Sequence, residues 1–82
     1  MLKGIIKGNI VSTRKQESLI GNKFMEVEII ENNNPTGKYI IAIDSVGAGI
    51  GEIVLITTGS SARLALHNQN APTDAVIVGI VD

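Results

Sequence analysis

The sequence predicts an all-β fold, a small five-stranded barrel with one short helix between strands four and five. Isoleucine and valine are abundant, whereas phenylalanine and tyrosine occur once each in the 82 residues. β-Branched side chains lose rotamer freedom in helices and pack well on pleated sheets, so this composition favours strands. One segment, Lys23–Ile30, also shows the alternation of apolar and polar residues that is typical of a half-buried strand.

The first strand is predicted over about Leu2–Thr13. Gly4 and Gly8 interrupt it, which indicates strong curvature or bulges, as in a small barrel. A polar connection, Arg14–Asn22, leads to the second strand, Lys23–Ile30. We expect Met25, Val27 and Ile29 to point to one side of that strand and Glu26 and Glu28 to the other, because side chains alternate along a strand.

The remaining elements follow from turn residues and apolar runs. Glu31–Gly37 is a turn by composition and is interpreted as the tip of a hairpin. Five strands with one helix fit, in outline, a partly open barrel of the OB type. With no internal repeat or linker, residues 1–82 are predicted to form a single domain. The other predicted elements are a third strand Lys38–Ile43, a fourth strand Glu52–Thr58, a helix Ser61–His67 ended by Asn68–Thr73, and a fifth strand Ala75–Val81.

Length and composition narrow the ways in which this domain becomes stable. A chain of 82 residues forms a small core, so disulfides, a metal or oligomerisation are expected to contribute. Cysteine is absent, which excludes disulfides and thiolate metal sites, and His67 is the single histidine. We therefore expect no metal and no cofactor, and oligomerisation is the remaining route.

The charge balance argues against two kinds of partner. A formal net charge of −1 supplies no general attraction to nucleic acid or to an anionic membrane. No apolar run approaches the roughly 18 residues of a membrane span. The N-terminus lacks the apolar core of a signal peptide, so a cytoplasmic location is expected.

Two predicted strands are apolar on both faces. Tyr39–Ile43 and Ala75–Val81 lack the outward polar residues that a small antiparallel barrel normally shows. A chain this short has little left to cover such a face, and exposed apolar patches mark interaction sites. We therefore expect a subunit interface along at least one of these strands.

The segment Asp44–Gly51 carries three glycines at alternate positions, directly before the apolar run Ile53–Ile56. Phosphate loops lead into a helix, whereas here a strand follows and the third glycine comes one residue too early for G-x-G-x-x-G. We interpret it as a tight loop with positive φ at one or more glycines, Gly49 among them, in which Asp44 accepts hydrogen bonds from loop amides. The candidate residues are Asp44, Ser45, Gly47, Ala48, Gly49 and Gly51.

The segment Gly59–Arg63 joins strand four to the helix, and Gly59, Ser60, Ser61 and Arg63 are its candidate residues. Ser60 or Ser61 is a plausible helix N-cap. A serine–histidine–aspartate set is nominally present with His67 and Asp74, but it lacks the strand–elbow–helix context of G-x-S-x-G. Catalysis is therefore not expected, and we predict that the protein is not an enzyme.

Arg63 is expected in the first turn of the helix, where the helix dipole disfavours a cation. Either a carboxylate in the same or a neighbouring subunit compensates, or the guanidinium is solvated. His67 is expected near the helix C-terminus, where a partial positive charge is favourable. Arg14, Lys15 and Lys23 form a modest basic group, which is most simply explained as a solvated surface.

The two glycine-bearing motifs, in this order, resemble the EutN/CcmL family, the pentameric vertex proteins of bacterial microcompartment shells. The likeness continues toward both ends and spans nearly the whole chain. The residues that carry it are Gly8, Val11–Lys15, Ser18, Leu19, Gly21 and Lys23, then Asp44–Gly51 and Gly59–Arg63, and finally Thr73–Asp82.

This resemblance implies a structural protein rather than an enzyme. It implies a homopentamer that closes the fivefold vertices of a polyhedral shell built mainly from hexameric shell proteins, with a narrow axial pore and with the Asp44–Gly51 loop in the packing of neighbouring subunits. It leaves the kind of microcompartment open. The alternative is an OB-fold module for single-stranded nucleic acid or oligosaccharide, which normally needs a basic groove and stacking aromatics, whereas this chain has only Phe24 and Tyr39.

Overall fold

Five strands and one short α-helix make up the part of the chain that the structure describes. This computed structural model of the protein describes residues 1–11, 15–66 and 73–82. A single 3₁₀ turn, Glu17–Leu19, lies between the first two strands. The strands are β1 Leu2–Ile10, β2 Lys23–Glu31, β3 Asn34–Asp44, β4 Ile53–Thr58 and β5 Ala75–Val81, and the helix α1 is Ser60–Ala65.

The strands form a barrel in the order β1-β2-β3-β5-β4, with β4 returning to β1. This confirms the predicted five-stranded barrel with its helix between strands four and five. The barrel is closed rather than partly open, because β3 continues to Asp44 and there meets β5. The two run parallel and pair only at Ile43 with Val76 and at Asp44 with Ile77, whereas all other neighbouring strands are antiparallel.

The barrel interior is filled by aliphatic side chains from all five strands. Met25, Val27 and Ile29 are buried, which confirms the predicted inward face of β2. Burying apolar side chains of this size contributes roughly 1.5–3 kcal/mol each to folding before entropy is counted. The other large side chains that are fully buried in this core are Ile6, Val54, Ile56 and Ile77.

A second apolar cluster lies outside the barrel, beneath α1. Ile43 and Val76 point outward from β3 and β5 and pack with Ala62 of the helix. Val78 and Phe24 pack against the same cluster. The outer face of β5 is therefore partly covered by the chain's own helix, whereas the sequence alone left that face without a cover.

Glu28 differs from the simple alternation of β2, because it faces outward and yet is only 7% exposed. One carboxylate oxygen lies 3.6 Å from the Lys7 ammonium of β1. The other accepts a hydrogen bond of 3.0 Å from the Gly37 amide of β3. A buried carboxylate must be paired or hydrogen-bonded, and Glu28 meets this requirement by linking three adjacent strands.

The predicted hairpin tip is present but shorter than Glu31–Gly37. Only Asn32 and Asn33 form the turn, with φ of 51° and 63°, and β3 resumes at Asn34. Two residues with positive φ match the twist of the flanking strands, which explains the tight turn. Beyond it, β3 bulges opposite Ile29, and the Thr36 hydroxyl donates to the Ile29 carbonyl at 2.7 Å.

The other boundaries agree with the prediction to within a few residues. β1 ends at Ile10, and its pairing shifts between Ile6 and Gly8, which confirms the bulge expected from the glycines. β4 begins at Ile53, and β5 spans Ala75–Val81 as predicted. The last residues predicted for strand one, 12–13, and for the helix and its end, 67–72, lie outside the described residues.

Candidate functional site

The Asp44–Gly51 loop is folded around one carboxylate. The two side-chain oxygens of Asp44 accept three backbone N–H groups: Oδ1 from Val46 at 3.0 Å and Gly47 at 3.1 Å, and Oδ2 from Ala48 at 2.9 Å. Hydrogen bonds to a charged acceptor are roughly twice as strong as neutral ones. This confirms the prediction that Asp44 accepts hydrogen bonds from the amides of its own loop.

The same contacts explain why this glycine-rich loop does not have the chemistry of a phosphate cradle. A phosphate loop presents consecutive amides to an external anion. Here the amides of Val46, Gly47 and Ala48 already donate to Asp44, and the carboxylate would repel a second anion. The strand β4, not a helix, follows the loop.

Both ends of the loop are fixed to the barrel. At its start, the Ser45 hydroxyl and amide donate to the Ile77 carbonyl of β5 at 2.5 and 3.3 Å. At its end, the Gly51 amide donates to the Ile6 carbonyl of β1 at 2.8 Å. Between them Ala48 is buried in the barrel core, while Val46 and Ile50 remain exposed. The loop is therefore an anchored surface that presents two apolar side chains.

Two of the three loop glycines have positive φ, Gly47 at 81° and Gly51 at 90°. Gly49 does not, so the expectation that Gly49 adopts positive φ is wrong. Its amide instead donates to Glu52 Oε1 at 2.6 Å. Local hydrogen bonds, rather than the alternating spacing, decide which glycine takes the left-handed conformation.

These conformations predict that two alanine substitutions in the loop differ in how much they lower the stability of the fold. We expect Gly51→Ala to lower stability by about 1–2 kcal/mol, because a Cβ at positive φ is strained. Gly49→Ala should change it by less than about 0.5 kcal/mol, since the added Cβ would approach only the flexible Glu52 carboxylate, at 3.4 Å. Thermal unfolding of both variants measures the difference, and equal melting temperatures would contradict it.

In the second motif, the residue at the N-cap of the helix is Gly59, rather than Ser60 or Ser61. Gly59 has φ 70° and ψ −148°, a conformation essentially restricted to glycine, and α1 starts at Ser60. The two serines are exposed, and no side-chain hydrogen bond caps the helix, so the predicted serine N-cap is wrong. The Gly59 amide donates to the Asp74 carbonyl at 2.9 Å, which joins the motif to the segment before β5.

Arg63 lies in the last turn of α1, not in the first, because the helix has only six residues. At that position the helix dipole favours a cation, which removes the reason for requiring a carboxylate. Its Nη1 donates to the Thr73 carbonyl at 3.2 Å. Among the described residues no carboxylate lies within ion-pair distance of Arg63, so its neighbour is a backbone carbonyl of its own chain.

The remaining candidate side chains do not form a recognisable site. His67 and Arg14 lie outside the described residues, so the roles suggested for them stay predictions. The Lys15 ammonium lies 5.3 Å from the centre of the Phe24 ring, and Lys23 is exposed. Over residues 1–11, 15–66 and 73–82, no group of three or more acidic or histidine side chains is placed to hold a metal ion.

The first motif is therefore attached to β5 and the second to the segment directly before it. Asp44 and Ser45 meet β5 from the side of β3, and Gly59 and Arg63 meet the residues just before it. No helix in the described part of the chain is long and apolar enough to cross a membrane. What the two motifs offer is preformed surface rather than reactive groups.

The residues that sequence reasoning missed are the outward apolar side chains of β4, because an interface was expected only along Tyr39–Ile43 or Ala75–Val81. Ile53 and Leu55 of β4 point away from the core and remain exposed, as does Val81 of β5. Gly79, in the interior of β5, lies beside Leu55. The signal was present in the uninterrupted apolar run Ile53–Ile56, but only the pairing register shows that these residues meet on one face.

Comparisons with known proteins agree over the whole chain. Residues 1–82 match the family described as "Ethanolamine utilisation protein EutN/carboxysome". The chain is 43% identical to the bacterial microcompartment shell vertex protein EutN of Salmonella typhimurium, covering 100% of this chain and 84% of that protein. It is 41% identical to the carboxysome shell vertex protein CcmL of Gloeobacter violaceus, covering 96% and 80%.

Solved structures show the same fold. CcmL of Gloeobacter violaceus superposes with a TM-score of 0.94 at 40% identity, covering 100% of this chain and 86% of that chain. GrpN of Rhodospirillum rubrum, described as a pentameric microcompartment shell protein, superposes with a TM-score of 0.90 at 44% identity, covering 100% and 94%. With a barrel of this topology and a match from the first residue to the last, the chain belongs to the EutN/CcmL family.

Proposed function

We propose that this protein is a structural subunit that assembles into a homopentamer and occupies the fivefold vertices of a polyhedral microcompartment shell. One observation carries the proposal: the whole chain matches a family whose relatives are shell vertex proteins, one of them pentameric with a TM-score of 0.90. The task at a vertex is curvature. Flat layers of hexameric shell proteins cannot close, and pentamers at the corners allow closure.

The described surface supports a structural role rather than catalysis. The most elaborate hydrogen-bond network in the candidate motifs, at Asp44, is directed at the chain's own backbone. The exposed groups nearby, Val46 and Ile50, are apolar. In this proposal the pentamer is a non-enzymatic component, it acts in the cytoplasm as part of the shell, and its partners are hexameric shell proteins.

The alternative of an OB-fold module for nucleic acid or oligosaccharide has less support. Phe24 packs beneath the helix, in the second apolar cluster, so Tyr39 is the one aromatic side chain that the described surface exposes. A stacking platform normally combines several aromatics with a basic groove. The net charge of −1 and the single exposed aromatic ring disfavour that reading.

Omitting this protein from its shell system tests the proposal. Hexameric shell proteins should still assemble, because their lateral contacts do not involve this chain, but the shells should have open corners or irregular, elongated shapes. Electron microscopy and a leakage assay measure both effects, and adding the wild-type chain should restore closure. Closed shells that leak no more than normal would refute the vertex role, while native mass spectrometry independently tests for five chains.

A further inference from the structure

The barrel is closed by one short seam, where β3 meets β5. The two strands pair at Ile43 with Val76 and at Asp44 with Ile77, and we call these two pairs the β3–β5 seam. The next shortest pairing, between β1 and β4, already involves Leu2–Ile5 of β1. The β3–β5 seam is also parallel, and parallel pairs are slightly less stable per residue than antiparallel ones. We therefore expect the barrel to open here before it opens elsewhere.

The helix α1 lies on the outside of this seam. Ile43 and Val76 point outward from the two paired strands, yet they are only 1% and 0% exposed. Ala62 of α1, which is itself fully buried, packs with both of them in one apolar cluster. A helix that touches both strands of a seam can hold them together, because lifting it would expose two large branched side chains to water.

Two hydrogen bonds fix the position of α1. At its start the Gly59 amide donates to the Asp74 carbonyl at 2.9 Å, and in its last turn Arg63 Nη1 donates to the Thr73 carbonyl at 3.2 Å. Both acceptors lie directly before β5, so the helix is tied to one of the two strands that it covers. A helix of six residues is too short to be stable alone, so α1 depends on these bonds and on the buried contact of Ala62.

The Asp44–Gly51 loop acts on the other end of the same seam. Directly after Asp44, the Ser45 amide and hydroxyl donate to the Ile77 carbonyl of β5 at 3.3 and 2.5 Å. These bonds continue the contact between the two strands beyond the end of β3. The first motif therefore extends the β3–β5 seam, and the second motif carries the helix that covers it.

We propose that α1 is a strap that closes the barrel. With α1 in place, Ala62 holds Ile43 and Val76 together and the β3–β5 seam stays closed. When α1 lifts, the seam opens while the antiparallel strands remain paired. This is a local opening of the subunit rather than its unfolding, and it exposes the apolar cluster beneath the helix. The proposal concerns a single subunit, so it is independent of the proposed pentamer.

A charge placed beneath the strap tests the proposal. Ala62→Asp puts a carboxylate among buried apolar side chains, where an unpaired charge is costly, so α1 should lift. The matched control Ser61→Asp adds the same charge at the exposed neighbouring position of the helix. In Ala62→Asp the Ser45 amide, which donates across the seam, should lose at least about tenfold of its protection from hydrogen exchange. In Ser61→Asp its protection should stay within about threefold of wild type.

Val27 shows whether the rest of the barrel survives. It lies in β2, which is paired on both sides, so its amide should remain at least about a thousandfold protected in Ala62→Asp. Loss of protection at Val27 as well would mean that the subunit unfolds as one unit. A Ser45 amide that stays protected, or an equal loss in the control, would mean that the seam closes without the strap. Each of these results would overturn the proposal.

The wild-type chain gives a second test that does not depend on whether a variant folds. In low concentrations of urea, the free energy of opening measured by hydrogen exchange should be lower at Ser45 than at Val27. It should also fall less steeply with urea, because a local opening exposes less surface than unfolding does. Identical slopes at the two amides would show that the barrel opens only as a whole and that α1 is no strap, while the proposed pentamer would stand.

Discussion

Replacing Gly4 with alanine is expected to destabilise the subunit more than any other single methyl group added to this chain. Gly4 is buried in β1. A Cβ there would lie 2.9 Å from the Glu28 carbonyl oxygen of β2 and would overlap the Val27 side chain. Backbone of a paired strand cannot move aside cheaply, so we expect a loss of about 3 kcal/mol, the upper part of the range for overpacking a core.

That loss should lower the melting temperature by roughly 15 °C in a chain of this size. Gly8→Ala is the matched control, because an added Cβ at Gly8 meets no atom within 4 Å and the residue does not have positive φ. It should stay within about 0.5 kcal/mol of wild type. Thermal unfolding followed by circular dichroism measures both variants, and a Gly4→Ala protein that melts with the control would show that β1 and β2 are packed less closely than the structure has them.

The contrast between Gly4 and Gly8 illustrates what the sequence alone resolves. Two glycines in one predicted strand indicated curvature, and the bulge between Ile6 and Gly8 confirms it. The sequence does not distinguish a glycine required by the neighbouring strand from one beside open space. That difference depends on which residue of β2 lies opposite each of them, and pairing register is a property of the folded barrel.

Local patterns predicted well wherever one strand or one loop decides the outcome. The alternation in β2 placed Met25, Val27 and Ile29 in the core, and the position of Asp44 before a glycine-rich loop predicted its hydrogen bonds. Predictions that depended on a neighbouring element were less accurate. The burial of Glu28 needs Lys7 and Gly37 from the adjacent strands, and neither is near it in sequence.

The candidate site shows the same division. The sequence located Asp44–Gly51 and Gly59–Arg63 as candidate motifs. Which loop glycines have positive φ depends in part on the contact of Gly51 with β1, and which residue caps α1 depends on a contact with the segment before β5. Arg63 changed from the first helical turn to the last because the helix begins one residue earlier and ends two residues earlier than predicted. The apolar outer side of β5 was predicted, but that Ile53 of β4 lies beside Val81 on it depends on the pairing register of the two strands.

Replacing Asp44 with alanine should loosen the internal structure of the loop, although its two ends stay bound to the barrel. Three amides, of Val46, Gly47 and Ala48, would lose their acceptor at once. Hydrogen bonds to a charged group contribute roughly 1.5–3 kcal/mol each, but Val46 and Gly47 are exposed and their amides can bind water instead. Only the amide of the buried Ala48 would be left without ready solvation, so we expect a net loss of about 2–3 kcal/mol.

Two measurements on two variants separate this effect from general destabilisation. Hydrogen exchange at residues 46–48 should accelerate in Asp44→Ala far more than exchange in the β2 core, and urea unfolding gives the net loss. Asp44→Asn should be intermediate, because its amide oxygen can still accept from Val46 and Gly47 while its NH2 group faces the N–H of Ala48. If the loop amides of the alanine variant exchange no faster than those of wild type, the carboxylate does not hold the loop, and the contacts of Ser45, Ala48 and Gly51 with the barrel hold it instead.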